Sequence, residues 1–314
     1  NALERNGLDT VKDFPPIRVF GTVGFIIAEL LVNFVAIDGV TLQKSYTQFF
    51  ATGAFGIIMA LYALTMPKCP VNKSANGGIV DALGLRAFAL FKTRRMAIFF
   101  IFSMLLGVSL QITNSYGTTF IESFSKVSEY SEGLLNGWFA HNPTFLISIS
   151  QCSEALCILM IAFCLKRFGI KGVMLIAMFA WVLRFGFFGI GDTNFPGVVF
   201  LILSCIVYGV AFDFFNVSGG IYVDQQTDPK LRSSAQGLFM IMTNGIGASL
   251  GTFIAGEFVV NKYVMTQKVG TQGMIDGWHH SWFIFAAYAL IVFVMFYLCF
   301  KAPKKSEEKT VNNI

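Results

Sequence analysis

Eight apolar runs, each of about 18–25 residues, constrain this chain more than any other feature, because that is the length a helix needs to cross the hydrocarbon core of a bilayer. They lie at 16–36, 46–66, 96–119, 143–165, 173–191, 197–222, 235–259 and 280–300. In hydrocarbon every backbone N–H and C=O must find a partner within the protein, so spanning segments are helices or closed β-barrels. Barrel strands are about 9–11 residues long and alternate apolar with polar side chains. These runs are twice as long and do not alternate, so the reading is an all-α membrane protein. Composition agrees: charged residues make up 13% and there are 35 Phe, against roughly 25% charged in a soluble domain.

Charge gives the orientation. With both ends of the chain cytoplasmic, inner segments hold seventeen of the 23 Lys and Arg. Outer segments hold only Lys44, Lys126, Lys262 and Lys268, and Arg18 and Arg184 fall at or within the membrane. That is a strong positive-inside bias. The net charge of +5 then follows from topology and calls for no nucleic-acid partner. One connection, 67–95, is far longer than its neighbours. Its second half, IVDALGLRAFALFKTRR, is amphipathic and ends basic, as an interfacial helix between two bundles would be; a plain linker is the alternative. The organisation expected is two spans over 1–66, a cytoplasmic linker over 67–95, a six-helix bundle over 96–300 and a polar cytoplasmic tail over 301–314. The first residue is Asn1 and no signal-peptide pattern opens the chain, so it is expected to begin inside a longer protein.

Polar groups recur inside the runs. Arg18, Thr22, Phe25 and Glu29 share one stripe of the first, because eleven helical residues return to within roughly 20° of the start. A charge on a membrane helix costs several kcal/mol unless it faces protein or water. Gln111 and Asn114 lie three apart in the third run, and Gln151 and Glu154 three apart in the fourth. Tyr208, Phe212 and Asp213 lie in the sixth, with Asn216 one turn beyond the acid. A single buried amide often does no more than join helices, for about 0.6–2 kcal/mol per contact. Complementary groups on four helices favour a solute pathway instead. Amides offer donors and acceptors side by side, and Phe25, Tyr208 and Phe212 offer faces to a planar ring. Glu154 and Asp213 are candidates for reversible protonation, since burial disfavours a charged carboxylate. A neutral, hydrogen-bonding solute with one aromatic face fits such a set. Arg184 is read as pairing with Asp192, with an acid on another helix, or as a snorkelling cation.

Other chemistry finds little footing. None of the six cysteines forms a CxxC pair. His141, His279 and His280 are placed in polar loops, where an adjacent His pair is usually solvated. HExxH, GxSxG and Walker patterns are absent. No catalytic, metal or cofactor site is therefore expected. Gly247 and Gly251 form a GxxxG, which marks close helix packing.

Three segments, KDFPPIRVFGTVGFI, DALGLRAFALFKTRRMAIFFIFSMLLGVSLQITNSYGTTF and IVYGVAFDFFNVSG, resemble the bacterial nucleoside:proton symporters of the major facilitator superfamily, of the NupG/XapB-type nucleoside permeases. The resemblance runs from Asn1 to about 300. It implies twelve helices in two six-helix bundles with the nucleoside bound between them. About 8 of those 12 transmembrane helices would be present, the fifth to the twelfth. The stretch 67–95 would be the inter-bundle linker, and LKRFGIKGVM the basic loop between the eighth and ninth helices. The family's substrate-binding positions fall on Arg18, Thr22, Phe25, Gln111, Asn114, Gln151, Glu154, Tyr208, Phe212 and Asp213, with Asp213 and Glu154 the proton-coupling candidates. Glu29 departs from the family pattern. The implied activity is proton-coupled uptake of nucleosides, such as uridine and adenosine, across the bacterial inner membrane by alternating access. Its partners are nucleosides, protons and the lipid bilayer, with no nucleic acid and no cofactor. The alternatives are a sugar or drug transporter of the same superfamily, or a membrane enzyme or receptor that does not transport.

Overall fold

The computed structural model describes Gly7 and residues 10–37, 39–66, 85–228 and 231–301, the side chains of 10–16, 18, 134 and 135 excepted. The chain forms two compact units, residues 1–76 and 77–314. In the first unit, helix α1 (Thr10–Phe34) leads into a two-residue antiparallel ladder of β1 (Ala36–Ile37) and β2 (Val40–Thr41). Gly39 takes φ +78° at that turn, a conformation open to glycine because it lacks a Cβ. A 3-10 turn (Leu42–Lys44) and helix α2 (Thr47–Ala63) follow.

The second unit opens with a 3-10 helix, Leu85–Lys92, and continues through α3 (Arg94–Phe124) and the short helices α4 (Ser128–Ser131) and α5 (Leu134–His141). Helices α6 (Pro143–Ile190), α7 (Gly197–Gln226), α8 (Arg232–Tyr263) and α9 (Gln272–Cys299) complete it. Among the described residues, α3, α6, α7, α8 and α9 are long and apolar enough to cross a membrane. Helix α6 has 48 residues and breaks at Gly169 (φ +68°). At about 1.5 Å per residue it would be more than twice as long as the hydrocarbon is thick. Its two arms therefore correspond to two apolar runs. Helix α8 contains two π-helical segments, Ile241–Gly247 and Ala255–Val260.

Helix α6 packs most extensively along α7, and α9 lies against α6. Aromatic rings fill the interior. Phe120 meets Phe124, Phe188, Trp278 and Trp282 at 5.0, 5.6, 5.9 and 5.5 Å between centroids. Phe99 does the same for Phe100, Phe215, Tyr222 and Phe239. Between membrane helices, close van der Waals packing and interhelical hydrogen bonds replace the hydrophobic drive. Small residues supply that packing where α8 meets α3. A Cβ on Gly247 would lie 2.4 Å from the Met104 carbonyl oxygen, and one on Gly251 2.9 Å from that of Val108.

Two expectations are corrected. His279 and His280 are not in a polar loop but inside α9, which begins at Gln272. Met274, Ile275 and Trp278 recur at helical spacing and are buried, which extends the helix two turns before the most apolar stretch. His279 Nε2 lies 3.2 Å from the Gly191 carbonyl oxygen and His280 stacks on Tyr263. Arg184 pairs neither with Asp192 nor, among the described residues, with another acid. Its contacts belong to the site below. Of the expected interfacial helix, Leu85–Lys92 is described, with Leu90 and Phe91 against the core. The linker over 67–84, including Cys69, and the tail over 302–314 lie outside the described residues.

Candidate functional site

Three helices of the second unit build one cavity of about 260 Å³. Helix α3 contributes Leu110, Gln111 and Asn114, α7 contributes Tyr208 and Phe212, and α8 contributes Asn244 and Ala248. The volume is just below the roughly 300–1,000 Å³ of pockets that enclose drug-sized ligands, and suits a small planar solute. Tyr208 and Phe212 are one turn apart and so share a face of α7. Their rings are parallel and offset, 5.6 Å apart at an interplanar angle of 4°, and form a wall two rings deep in which Tyr208 is buried and Phe212 presents the more open face. Gln111 Nε2 donates to Ser115 Oγ at 3.0 Å, using one of the amide's two donor hydrogens.

Behind this wall sits Arg184, which is 1% exposed. Its guanidinium carbon lies 4.3 Å from the Tyr208 ring centroid and 5.0 Å from that of Phe188. Nε donates to Thr113 Oγ1 at 3.2 Å, and Nη1 to Ser150 Oγ at 3.4 Å and to the Ser204 carbonyl at 2.9 Å. Ser204 Oγ in turn donates to the Arg184 carbonyl at 2.8 Å. The cation therefore ties α3, both arms of α6 and α7 together beside the site. Trp181, one turn earlier, meets Tyr208 edge-on at 5.9 Å and 88°. Asp192, in the loop between α6 and α7, instead accepts the Asn194 N–H at 2.7 Å. Burial pushes its carboxyl up, while that N–H and nearby His279 pull it back.

The structure thus brings Gln111, Asn114, Tyr208 and Phe212 together. Gln151 and Glu154 lie on the first arm of α6, and Glu154 is buried. Gly209 lets α7 approach there: a Cβ on it would lie 2.6 Å from the Glu154 backbone nitrogen. Ser153 Oγ also donates to the Ile206 carbonyl. Asp213 is next to Phe212 in the chain but is fully buried and does not line the cavity. In the first unit, Thr22 is buried and Phe25 is exposed. Arg18 lies on the same helix, with its side chain outside the described residues.

Two polar residues of the site are missing from the set that sequence reasoning assigns to the cavity. Asn244 carries a signal, as an amide in the apolar run 235–259, but its neighbours Gly247 and Gly251 point to packing. Arg184 stands out in the sequence without its partners, because hydroxyl and carbonyl acceptors leave no charge pattern to read.

The profile of the family described as "Nucleoside H+ symporter" matches residues 2–305. The chain is 45% identical to the xanthosine permease of Escherichia coli K12 over 317 aligned residues, covering 100% of this chain and 72% of that protein. It is 47% identical to the nucleoside permease NupG of the same organism, covering 95% of this chain and 68% of that one. A crystal structure of a NupG point mutant superposes with a TM-score of 0.78 at 45% identity, over 95% of this chain and 70% of the other. The fold is that of the major facilitator superfamily, and the chain belongs to the nucleoside H+ symporter family.

Proposed function

We propose that the complete protein takes up nucleosides together with protons across the bacterial inner membrane. One observation carries the reading: a cavity walled by a stacked pair of rings and by side-chain amides, in a chain of the nucleoside H+ symporter family. A nucleobase is planar and alternates donors and acceptors along its edge. It stacks on Phe212, which Tyr208 backs, and meets Gln111 and Asn114 at that edge. Gln151 and Glu154 are suited to ribose hydroxyls. Arg18, Thr22 and Phe25 are the substrate-binding groups of the first unit. Asp213 and Glu154 are the proton-carrying candidates, because each is a buried acid beside the wall.

Transport then proceeds by alternating access, in which one bundle rocks against the other around a fixed site. Proton and nucleoside are coupled because each binds one state better than the other, and the effect is reciprocal. Both ends of this chain are cytoplasmic in this reading. Expression of the complete reading frame in a strain lacking nucleoside uptake tests it. Labelled uridine should accumulate, a protonophore should abolish accumulation, and adenosine should compete. Uptake of a sugar or drug with no competition by nucleosides would replace this reading with another solute.

A further inference from the structure

The cavity has a third amide, and an irregularity of the backbone delivers it. Asn244 lies in the π-helical segment Ile241–Gly247 of α8 and lines the cavity with Gln111 and Asn114. A π turn inserts an extra residue and so offsets the later residues around the helix, and such bulges occur often at functional sites. Here the offset is clamped on both sides of Asn244. A Cβ on Gly107 would lie 2.1 Å from the Thr243 carbonyl oxygen, and one on Gly247 2.4 Å from that of Met104. Thr243 is buried and donates back to the Phe239 carbonyl at 3.0 Å. Asn244 itself is exposed, and its amide nitrogen has a long contact, 4.0 Å, with Met240 Sδ. Thioether sulfur is a weak acceptor, so the amide retains its hydrogen-bonding capacity toward a ligand.

We propose that Asn244 hydrogen-bonds the exocyclic group on the edge of the nucleobase that stacks on Phe212. This rests on the nucleoside reading above and deepens it. The ring face of Phe212 in the cavity suits the planar base, not the puckered ribose, so an amide sharing that cavity meets the base edge. An amide presents a donor on one side and an acceptor on the other, and turning about its last torsion exchanges them. Asn244 can thus accept from an amino substituent or donate to an oxo substituent, which gives tolerance of both kinds of base.

The test uses the full-length transporter, purified in detergent and titrated calorimetrically. The ligands are uridine, 2′-deoxyuridine, and pyrimidin-2-one riboside, which lacks the substituent at position 4. Asn244→Leu keeps the branched outline of the side chain and removes the hydrogen bonds. Asn244→Ala is the second variant and Asn261→Leu, elsewhere on α8, the control. The expected result is a loss of about threefold to tenfold for uridine and for 2′-deoxyuridine in both Asn244 variants. Pyrimidin-2-one riboside should bind them as it binds the parent, since the bond being removed is already missing. Equal losses for all three ligands, a loss confined to ribose-bearing contacts, or no loss in either variant overturns the assignment while the parent still binds uridine. A parent protein that binds no nucleoside overturns the underlying reading instead.

Discussion

Arg184 has left water without gaining a carboxylate among the described residues, which a buried cation does only if its donors are otherwise satisfied. Two hydroxyls, a carbonyl and the faces of Tyr208 and Phe188 do this. A desolvated cation–π contact is worth up to about 2 kcal/mol, so much of what holds the Tyr208 ring comes from Arg184. Removing the guanidinium takes a donor from the buried Thr113 and Ser150 hydroxyls and the Ser204 carbonyl, and an unmet buried group costs about 1–3 kcal/mol. Arg184→Met should therefore lower the melting temperature and, in the folded protein, weaken uridine binding about threefold to tenfold, as the ring loses its support. Unchanged affinity in a folded variant would show that Tyr208 does not need it. Gln111→Ala and Asn114→Ala should each weaken binding by about 0.5–1.5 kcal/mol with normal membrane insertion. Uridine affinity untouched in both would place the solute elsewhere. At this scale the sequence is informative where polar groups interrupt apolar runs at helical spacing, as at Gln111 and Asn114. It is silent on direction: Asp213 and Phe212 are adjacent, yet only Phe212 reaches the cavity, because successive helical residues point about 100° apart.

Helices α3 and α8 meet backbone to backbone, and glycine alone permits it. Gly107 and Gly247 lie so close that a Cβ on Gly247 would come 3.1 Å from the Gly107 Cα. Because these are two of the three helices that build the cavity, packing and site geometry are linked. Gly107→Ala and Gly247→Ala should each destabilise the protein by about 1–3 kcal/mol, the usual range for overpacking, and should weaken uridine binding as α8 is pushed from α3. Gly237→Ala, with nothing within 4 Å of its Cβ, is the control and should melt with the parent. If the two tight sites melt no lower than Gly237→Ala, the close approach is not a determinant of stability. Apolar length makes the existence of the spans readable, since no other structure satisfies a long backbone in hydrocarbon. The ends are less so. Helix α3 runs to Phe124 and α9 starts at Gln272, because amphipathic turns beyond the hydrocarbon still pack on the core. The π segments cannot be read at all, since a one-residue offset changes contacts without changing hydropathy.

At the scale of the whole molecule, charge asymmetry and coupling are the properties that no single helix carries. The positive-inside split predicts that the loop 122–142 faces outward. A Cys placed at Glu129, an exposed position, in a Cys-free background should react with an impermeant reagent on intact cells. Reaction only after the cells are opened would reverse the topology. Coupling requires that a proton site and the nucleoside site prefer the same state. Asp213 is the leading candidate for the proton: it is fully buried, adjoins Phe212 in sequence, and stays off the cavity wall, so it can change charge without being displaced by solute. Glu154 is its comparison, because α7 and α6 touch at Gly209 and Ser153, next to Glu154. Asp213→Asn keeps the shape and removes the titratable group. Accumulation against a gradient should fall by about tenfold or more, within the span of ordinary coupling energies, while downhill counterflow of labelled uridine survives. If Asp213→Asn still concentrates nucleoside and Glu154→Gln does not, the proton belongs to Glu154. If both variants concentrate it normally, neither acid carries the proton, and Glu29, the other acid within an apolar run of the first unit, becomes the next residue to neutralise.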